Sequence, residues 1–522
     1  MTTAPRIHRI GSRSVLVDLP DLTTVMAWHA ELTRAPLPGQ IDVIAAACTL
    51  LVNTGSPRAA RRAAEALRTF APAPFQAGQA TEVTVDVVYD GEDLSEAARL
   101  VGMSPEALVA WHTGTSWVGA FGGFAPGFTY CVPGDPADAL DMPRRPSPRT
   151  AVPAGAVGLA GGFSAVYPRQ SPGGWQLLGT TTTPMWDPSA TPPALIAPGD
   201  RVAYRAVREH VEVTGSVRRS VESAPPSRPV MRVEDPGLLT LLQDLGRPGN
   251  GDLGVTESGA ADGASARAAN AAVGNESSLA VLENIGGLEL RALVDTVVAV
   301  TGAQAPATVG GRPVALGAPA LISAGETVIV GPATLGLRSY LAVRGGFTAG
   351  QVLGSAATDM LSGLGPEPVT GGTLSGAFRA RGTTGTTVAN PLRVGLRDGV
   401  THAELRCVPG PRDDWFAGGV ENLASRTWEV SGRSNRVGLR LDGDPLTRSR
   451  GGELASEGII AGAVQVPADG LPVVFLRDHA VTGGYPVVAA VIAEDLDVAG
   501  QLPPGGTVRF IPVDPDTLTP II

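Results

Sequence analysis

Short apolar runs rich in valine, isoleucine and leucine recur along the chain, each broken within a few residues by glycine, proline or a charge. Such runs predict strands joined by tight turns, and helical spacing is confined to a few segments. Ser12 to Leu19 and Ile41 to Thr54 read as strands, with Leu22 to Thr33 helical between them. Ser56-Pro57 places an N-cap before a proline at the first helical position, which predicts a helix over Arg58 to Phe70. Strand, helix, strand, helix over residues 1–80 predicts a small ferredoxin-like α/β unit, with Ala71 to Pro74 as a hinge. Thr81 to Tyr89 alternates as a strand. Two short helices follow, Leu94 to Val101 and Pro105 to His112, the second capped by Ser104. From Val118 onward, glycine, proline and aromatic residues punctuate short strands, which predicts a barrel over 81–215.

Ser216 to Pro229 reads as the linker between two halves, and residues 216–230 separate the first from the second. In the second half a helix is predicted over Ala264 to Val273, capped by Asp262; the rest alternates strands and glycine turns. A loose stretch near 380–390 divides it into 231–385 and 386–522. Three segments share a turn, a glycine and an alternating strand: Ala197 to Tyr204, Ser323 to Val330 and Pro503 to Phe510. That faint repeat points to three related barrels behind an α/β cap. The fold class is α+β, mostly β.

Composition removes several functions. The chain has 522 residues and a formal charge of −10, which excludes the basic surface that nucleic acid or an anionic membrane requires. No apolar run of about 18 residues occurs and no charged-then-apolar leader opens the chain, so the expected location is the cytoplasm. All 40 basic residues are arginine. Without lysine there is no Walker A loop, Schiff-base lysine or biotinyl-lysine on this chain. Three scattered cysteines and six histidines show neither a disulfide framework nor metal-ligand spacing.

The richest stretch chemically is Gln465 to Pro486. An apolar strand ends in Arg477, Asp478, His479 and Thr482, then bends at Gly483-Gly484 before Tyr485. In the first half, Phe124, Pro126, Phe128 and Tyr130 alternate with glycine. Arg144 and Arg149 follow prolines, a stiff setting for binding carboxylate or phosphate. Tyr167, Ser171, Gly173, Gly174 and Trp175 come next, and successive glycine N–H groups suit an anion. In the second half Gln243, Asp244 and Arg247 crowd one turn. Asn270 and Asn275 either meet a planar amide or satisfy backbone near a helix end. Ser434-Asn435-Arg436, Arg440 and Gln465 form a further polar set, in which strand arginines are expected to be solvated. No Gly-x-Ser-x-Gly elbow occurs, so positional and electrostatic catalysis is expected rather than covalent attack.

Together these stretches resemble two related families. Gly-Phe-x-Pro-Gly-Phe-x-Tyr (123–130), Pro-Arg-x-x-Val-Pro-Ala-Gly (148–155) and Tyr-Pro-x-x-Ser-Pro-Gly-Gly-Trp (167–175) resemble the B component of 5-oxoprolinase, or KipI. Pro-Gly-Leu-Leu-Thr-Leu-Leu-Gln-Asp-Leu-Gly-Arg (236–247), Ser-Gly-Ala-Ala-Asp (258–262), Arg-Val-Gly-Leu-Arg-Leu (436–441) and the 465–486 stretch resemble its C component, or KipA. The resemblance implies one cyclophilin-like barrel in the first half and two in the second. It implies ATP-dependent opening of 5-oxo-L-proline to L-glutamate, with a separate A component of the LamB/YcsF family and magnesium beside the nucleotide. A homo-oligomer is compatible with it. On this resemblance Asp244, Arg247, Asp478 and His479 are the catalytic candidates. Phe124, Pro126, Phe128, Tyr130, Gln243, Asn270, Gln465, Thr482, Gly484 and Tyr485 would hold substrate. Arg144, Arg149, Tyr167, Ser171, Gly173, Gly174 and Trp175 would hold nucleotide. The chain departs from the family pattern at Thr180, where arginine is usual, and at Phe163, Ala156, Ala261 and Val481. The same architecture admits a urea carboxylase carboxyltransferase, or a histidine-kinase regulator of the KipI/KipA type.

Overall fold

The computed structural model describes residues 5–72, 81–209, 227–377, 387–452 and 454–521. Most of the expected linker, Ala73 and Pro74 of the expected hinge and most of the expected loose stretch near 380–390 lie outside these residues. The N-terminal unit is a four-stranded antiparallel sheet carrying the helices Leu22–Arg34 and Pro57–Leu67. Ser56 caps the second helix by accepting from the Ala59 N–H at 3.2 Å. The segment expected as one strand over Ile41 to Thr54 is a hairpin, Gln40–Ala45 and Thr49–Thr54, and an unexpected strand Arg6–Ile10 lies at the sheet edge. The sheet order is the one a ferredoxin-like sheet takes when its last strand moves to the start of the chain.

The first barrel is built from Glu82–Val87, Trp117–Gly122, Thr129–Pro133, Ala156–Ala160, Phe163–Val166, Gln176–Thr180 and Arg201–Ala206. A barrel late in the chain uses Val400–Pro409, Thr427–Val430, Gly438–Asp442, Ala463–Gln465, Val473–Phe475, Val487–Val491 and Thr507–Pro512. In both, the last strand pairs parallel with the first. A helix precedes the second strand in each, and the indole N–H of Trp117 or Trp428 donates at 3.0 Å to the carbonyl five residues earlier. These two barrels are one architecture used twice. The middle member of the sequence repeat differs: Thr327–Val330 pairs antiparallel on both sides.

Residues 227–377 form a seven-stranded and a five-stranded sheet around a shared apolar core. Its first strand, Ser227–Asp235, starts inside the expected linker; a bulge between Pro229 and Met231 lets proline sit in the ladder. The helix Gly263–Ala272 is capped by Asp262, which accepts from the Ser265 N–H at 2.9 Å.

Within the first barrel His112 is fully buried. Its Nδ1 accepts from the Tyr89 hydroxyl at 2.7 Å, its Nε2 donates to Ser164 at 2.9 Å, and Ser164 donates to Tyr204. Burial pushes its pKa down to about 3. The neutral ring therefore contributes its full stability above about pH 6.5, the unfolded value, and that contribution is lost as pH falls towards 3. His112→Phe should lower stability at pH 7, because Tyr89 and Ser164 lose a partner, yet flatten the slope between pH ~6.5 and ~4 by up to about one proton. Urea unfolding across that range measures both effects.

Candidate functional site

The strand Val473–Phe475 delivers Arg477, Asp478 and His479 to the seam between the halves. Asp478 is wholly buried and accepts four hydrogen bonds. Arg436 supplies two, at 2.9 and 3.0 Å; the Ser258 hydroxyl donates at 2.8 Å and the Met360 N–H at 3.0 Å. Arg436 also donates to Glu283 and to the Gly259 carbonyl. Burial works to raise Glu283, but the Arg436 and Arg338 charges hold it below the usual carboxylate range. This buried lattice of charges fixes the segment from which His479 projects. Arg436, expected among solvated strand arginines, is instead buried.

His479 is also buried, and its Nδ1–H donates to the Ala480 carbonyl at 2.8 Å. That bond fixes the tautomer and leaves Nε2 with its lone pair. Burial lowers its pKa, so the ring is neutral at pH 7 and able to take a proton. It lines a cavity of about 130 Å³. The first half contributes Phe124, Ala125, Pro126 and the turn Arg169 to Pro172; the second contributes Gly254, Thr256, Asp359, Leu361, Ser362 and His479 to Val481. Arg169 is half-buried and makes no ion pair among the described residues, although the Asp359 charge acts on it. Asp359 is held in place by the N–H groups of Leu361 and Ser362 at 2.9 and 3.0 Å.

The two rims interlock through main chain. The Phe124 N–H donates to Thr482 Oγ1 at 3.0 Å, and the Gly127 N–H to the Leu253 carbonyl at 3.1 Å. Gly254, at φ +75°, lies so close to the Ala125 carbonyl that any Cβ would overlap it, and a Cβ on Gly123 would stand 2.6 Å from the Thr482 hydroxyl.

The family model described as carboxyltransferase domain, subdomain A and B, matches residues 253–512, and subdomain C and D matches 5–196. The C component of the Escherichia coli 5-oxoprolinase is 33% identical over 54% of this chain and 91% of its own length. The B component, also from Escherichia coli, is 32% identical over 40% of this chain and 98% of its own. The crystal structure of TTHA0988 superposes with a TM-score of 0.82 at 36% identity, over 95% of this chain and 99% of that one. Urea carboxylase of Kluyveromyces lactis gives a TM-score of 0.51 at 28% identity, and this chain spans 28% of it. The chain belongs to the carboxyltransferase-domain family, as a fused B–C member. Its barrels are of the cyclophilin-like type seen in these relatives.

The B-like half places several expected residues below the rim rather than on it. Phe128, Tyr130, Tyr167 and Trp175 form a buried edge-to-face aromatic cluster under Phe124. Burial raises the Tyr130 phenol, opposed by Arg144, Thr482 and Ser456. Phe163 joins this cluster. Ser171 reaches the cavity, whereas a Cβ on Gly173 would strike the Tyr167 hydroxyl, and the Gly174 carbonyl accepts from the Arg145 N–H at 2.9 Å. Arg144 is exposed. Arg149 is spent on Asp93, with two contacts of 2.9 Å, and on Glu92 at 3.0 Å. Thr180 donates to Asp90 at 2.9 Å.

In the C-like half Asp244 accepts from Ser355, the Gly246 N–H and the Ala356 N–H at 2.6 to 2.7 Å, and it borders a different cavity. Arg247 is buried among the Ala357 and Val352 carbonyls, with Nη1 unpartnered. Gln243 holds the Thr358 carbonyl at 2.8 Å, Asn270 the Leu279 carbonyl at 2.7 Å, and Gln465 the Tyr485 carbonyl at 2.9 Å. Gly484 packs near the Leu454 carbonyl, and the Tyr485 ring is exposed. Of the expected site residues, Phe124, Pro126, Ser171 and His479 share the seam cavity, with Thr482 tying its rims together. Arg169, Thr256 and Asp359 line the same cavity and were not singled out by sequence reasoning. Arg169 had one signal, its place in the Tyr-Pro-x-x-Ser-Pro turn.

Proposed function

We propose that this chain is the B–C component of an ATP-dependent 5-oxoprolinase, activating 5-oxo-L-proline for hydrolysis to L-glutamate with a separate A component. The observation that carries the reading is the seam cavity, which sets an arginine without an ion-pair partner among the described residues and a neutral imidazole around a space suited to a lactam of about nine non-hydrogen atoms. Coverage of the B and C components over 98% and 91% of their lengths supports it. Arg169 would take the substrate carboxylate, and Phe124 with Val481 would cover the ring's apolar edge. His479 Nε2 would accept the lactam N–H proton while the lactam oxygen bonds to the terminal phosphorus of ATP and ADP leaves. Magnesium would come with the nucleotide's phosphates. Water adding to the activated carbon and expelling the ring nitrogen gives an acyl phosphate; a second water yields glutamate and phosphate, steps assigned to the A component.

The second reading, the carboxyltransferase of a urea carboxylase, draws on the family model and on the likeness to the Kluyveromyces lactis enzyme. With no lysine in the chain, its biotin would have to arrive on another protein. Purified chain, the A component, ATP and 5-oxoproline should together release glutamate, and omission of any one should stop it. No glutamate from the full mixture, with urea-dependent decarboxylation of carboxybiotin instead, would select the second reading.

A further inference from the structure

Behind His479 lies a second, larger chamber of about 510 Å³, between the N-terminal sheet and the two domains of the C-like half. It shares Thr256, His479 and Val481 with the seam cavity, so the two spaces adjoin there. Three arginines reach this chamber, Arg13, Arg267 and Arg477, together with four carboxylates, Asp42, Glu257, Glu494 and Asp497.

Their hydrogen bonds are unevenly spent. Asp497 accepts from the Gly263 and Ala264 N–H groups at 2.9 and 3.2 Å. Glu494 accepts from Ser12 and Arg13, both at 2.8 Å, and Asp42 from the Gly251 and Val43 N–H groups at 2.8 and 3.0 Å. Burial pushes Asp42 up to about 7, which trims the negative charge of the chamber near neutral pH. Arg477, by contrast, meets Asp497 only at 3.5 Å and Glu257 at 3.7 Å, and its Nε is buried without a partner. Arg267 comes no nearer than 3.8 Å to Asp497. Each guanidinium has five N–H donors, so what remains unfilled here is donor capacity, which an anion satisfies. Arg149, in the stretch expected to hold nucleotide, has no such surplus.

We propose that this chamber binds the polyphosphate chain of a nucleoside triphosphate, with Arg477 and Arg267 as its donors and its terminal phosphate at the end shared with the seam cavity, beside Thr256, His479 and Val481. The proposal rests on the 5-oxoprolinase reading for the identity of the second substrate, and on the chamber alone for the anion. Ile41, Ile44, Ile459 and Ile460 supply apolar wall for a base and ribose. The two reactants would then meet at the shared end, where His479 lines both spaces.

Calorimetric titration of the full chain with ATP, inorganic tripolyphosphate and AMP tests this. ATP and tripolyphosphate should bind, and AMP should bind at least about tenfold more weakly. Arg267→Ala, on a half-exposed side chain, should weaken both polyphosphates about tenfold or more, and Arg477→Lys should do so with folding retained by circular dichroism. Arg205→Ala, on the far barrel surface, should change nothing. Absence of polyphosphate binding by the wild type would overturn the proposal, as would loss on Arg144→Ala with full binding in the two chamber variants. Glutamate release with the A component is read in parallel. Release unaffected by both chamber variants removes the chamber proposal and leaves the function, whereas polyphosphate binding that depends on Arg267 without any glutamate release does the reverse.

Discussion

Arg436→Ala is expected to destabilise the C-like half by about 3–5 kcal/mol, the largest stability loss for any single substitution at the seam. The size follows from what the substitution leaves behind. Asp478 and Glu283 are both buried, and Arg436 is the cation they share. Removing it strands Asp478 without an ion pair in a place that water does not reach and leaves Glu283 with Arg338 alone at 3.4 Å, and one unpaired buried charge already costs several kcal/mol. Arg436→Lys should recover only part, because an ammonium cannot span Asp478, Glu283 and the Gly259 carbonyl together. Adding Asp478→Asn to Arg436→Ala should regain stability by removing the stranded charge. Denaturant titration with a tryptophan signal measures this; a loss below about 1 kcal/mol for Arg436→Ala would mean that the lattice does not hold the seam.

His479→Gln is expected to lower kcat for glutamate release by about 10²- to 10⁴-fold while leaving the unfolding midpoint nearly unchanged. The amide keeps a comparable shape and a donor for the Ala480 carbonyl, but it has no basic nitrogen. Burial holds the His479 pKa below the ordinary imidazole value. The acid limb of kcat/KM in the wild type should therefore fall below pH ~6.5, and it should vanish in the variant. A purely structural role would lower stability and leave the pH profile in place.

Local chemistry was legible in the sequence wherever a residue acts on its own neighbourhood. Ser56, Ser104 and Asp262 cap their helices because an N-cap needs only an oxygen and the next turn. The family motifs singled out Phe124, Ser171 and His479 for three different expected roles, and the fold places all three around one cavity. The hairpin at residues 46–48 was not legible, because Ala46-Ala47-Cys48 contains none of the residues that mark a turn. Arg436 escaped for another reason. Its partners lie 42 and 153 residues away, and pattern along a strand carries no trace of them. Arg149 sits in the expected Pro-Arg motif, yet its charge is consumed by Asp93, 56 residues earlier. Whether a guanidinium is free or spent is a property of the folded molecule, which is why Arg169 and Arg477 stand out only in the structure.

On the 5-oxoprolinase reading, the small substrate sits at the seam between the B-like and C-like halves. A crystal of the chain soaked with 5-oxo-L-proline should show the lactam between Phe124, Arg169 and His479, its carboxylate on the Arg169 guanidinium and its ring nitrogen towards Nε2. Lactam bound elsewhere on the chain, with that cavity holding only water, would rule out the seam as the small-substrate site.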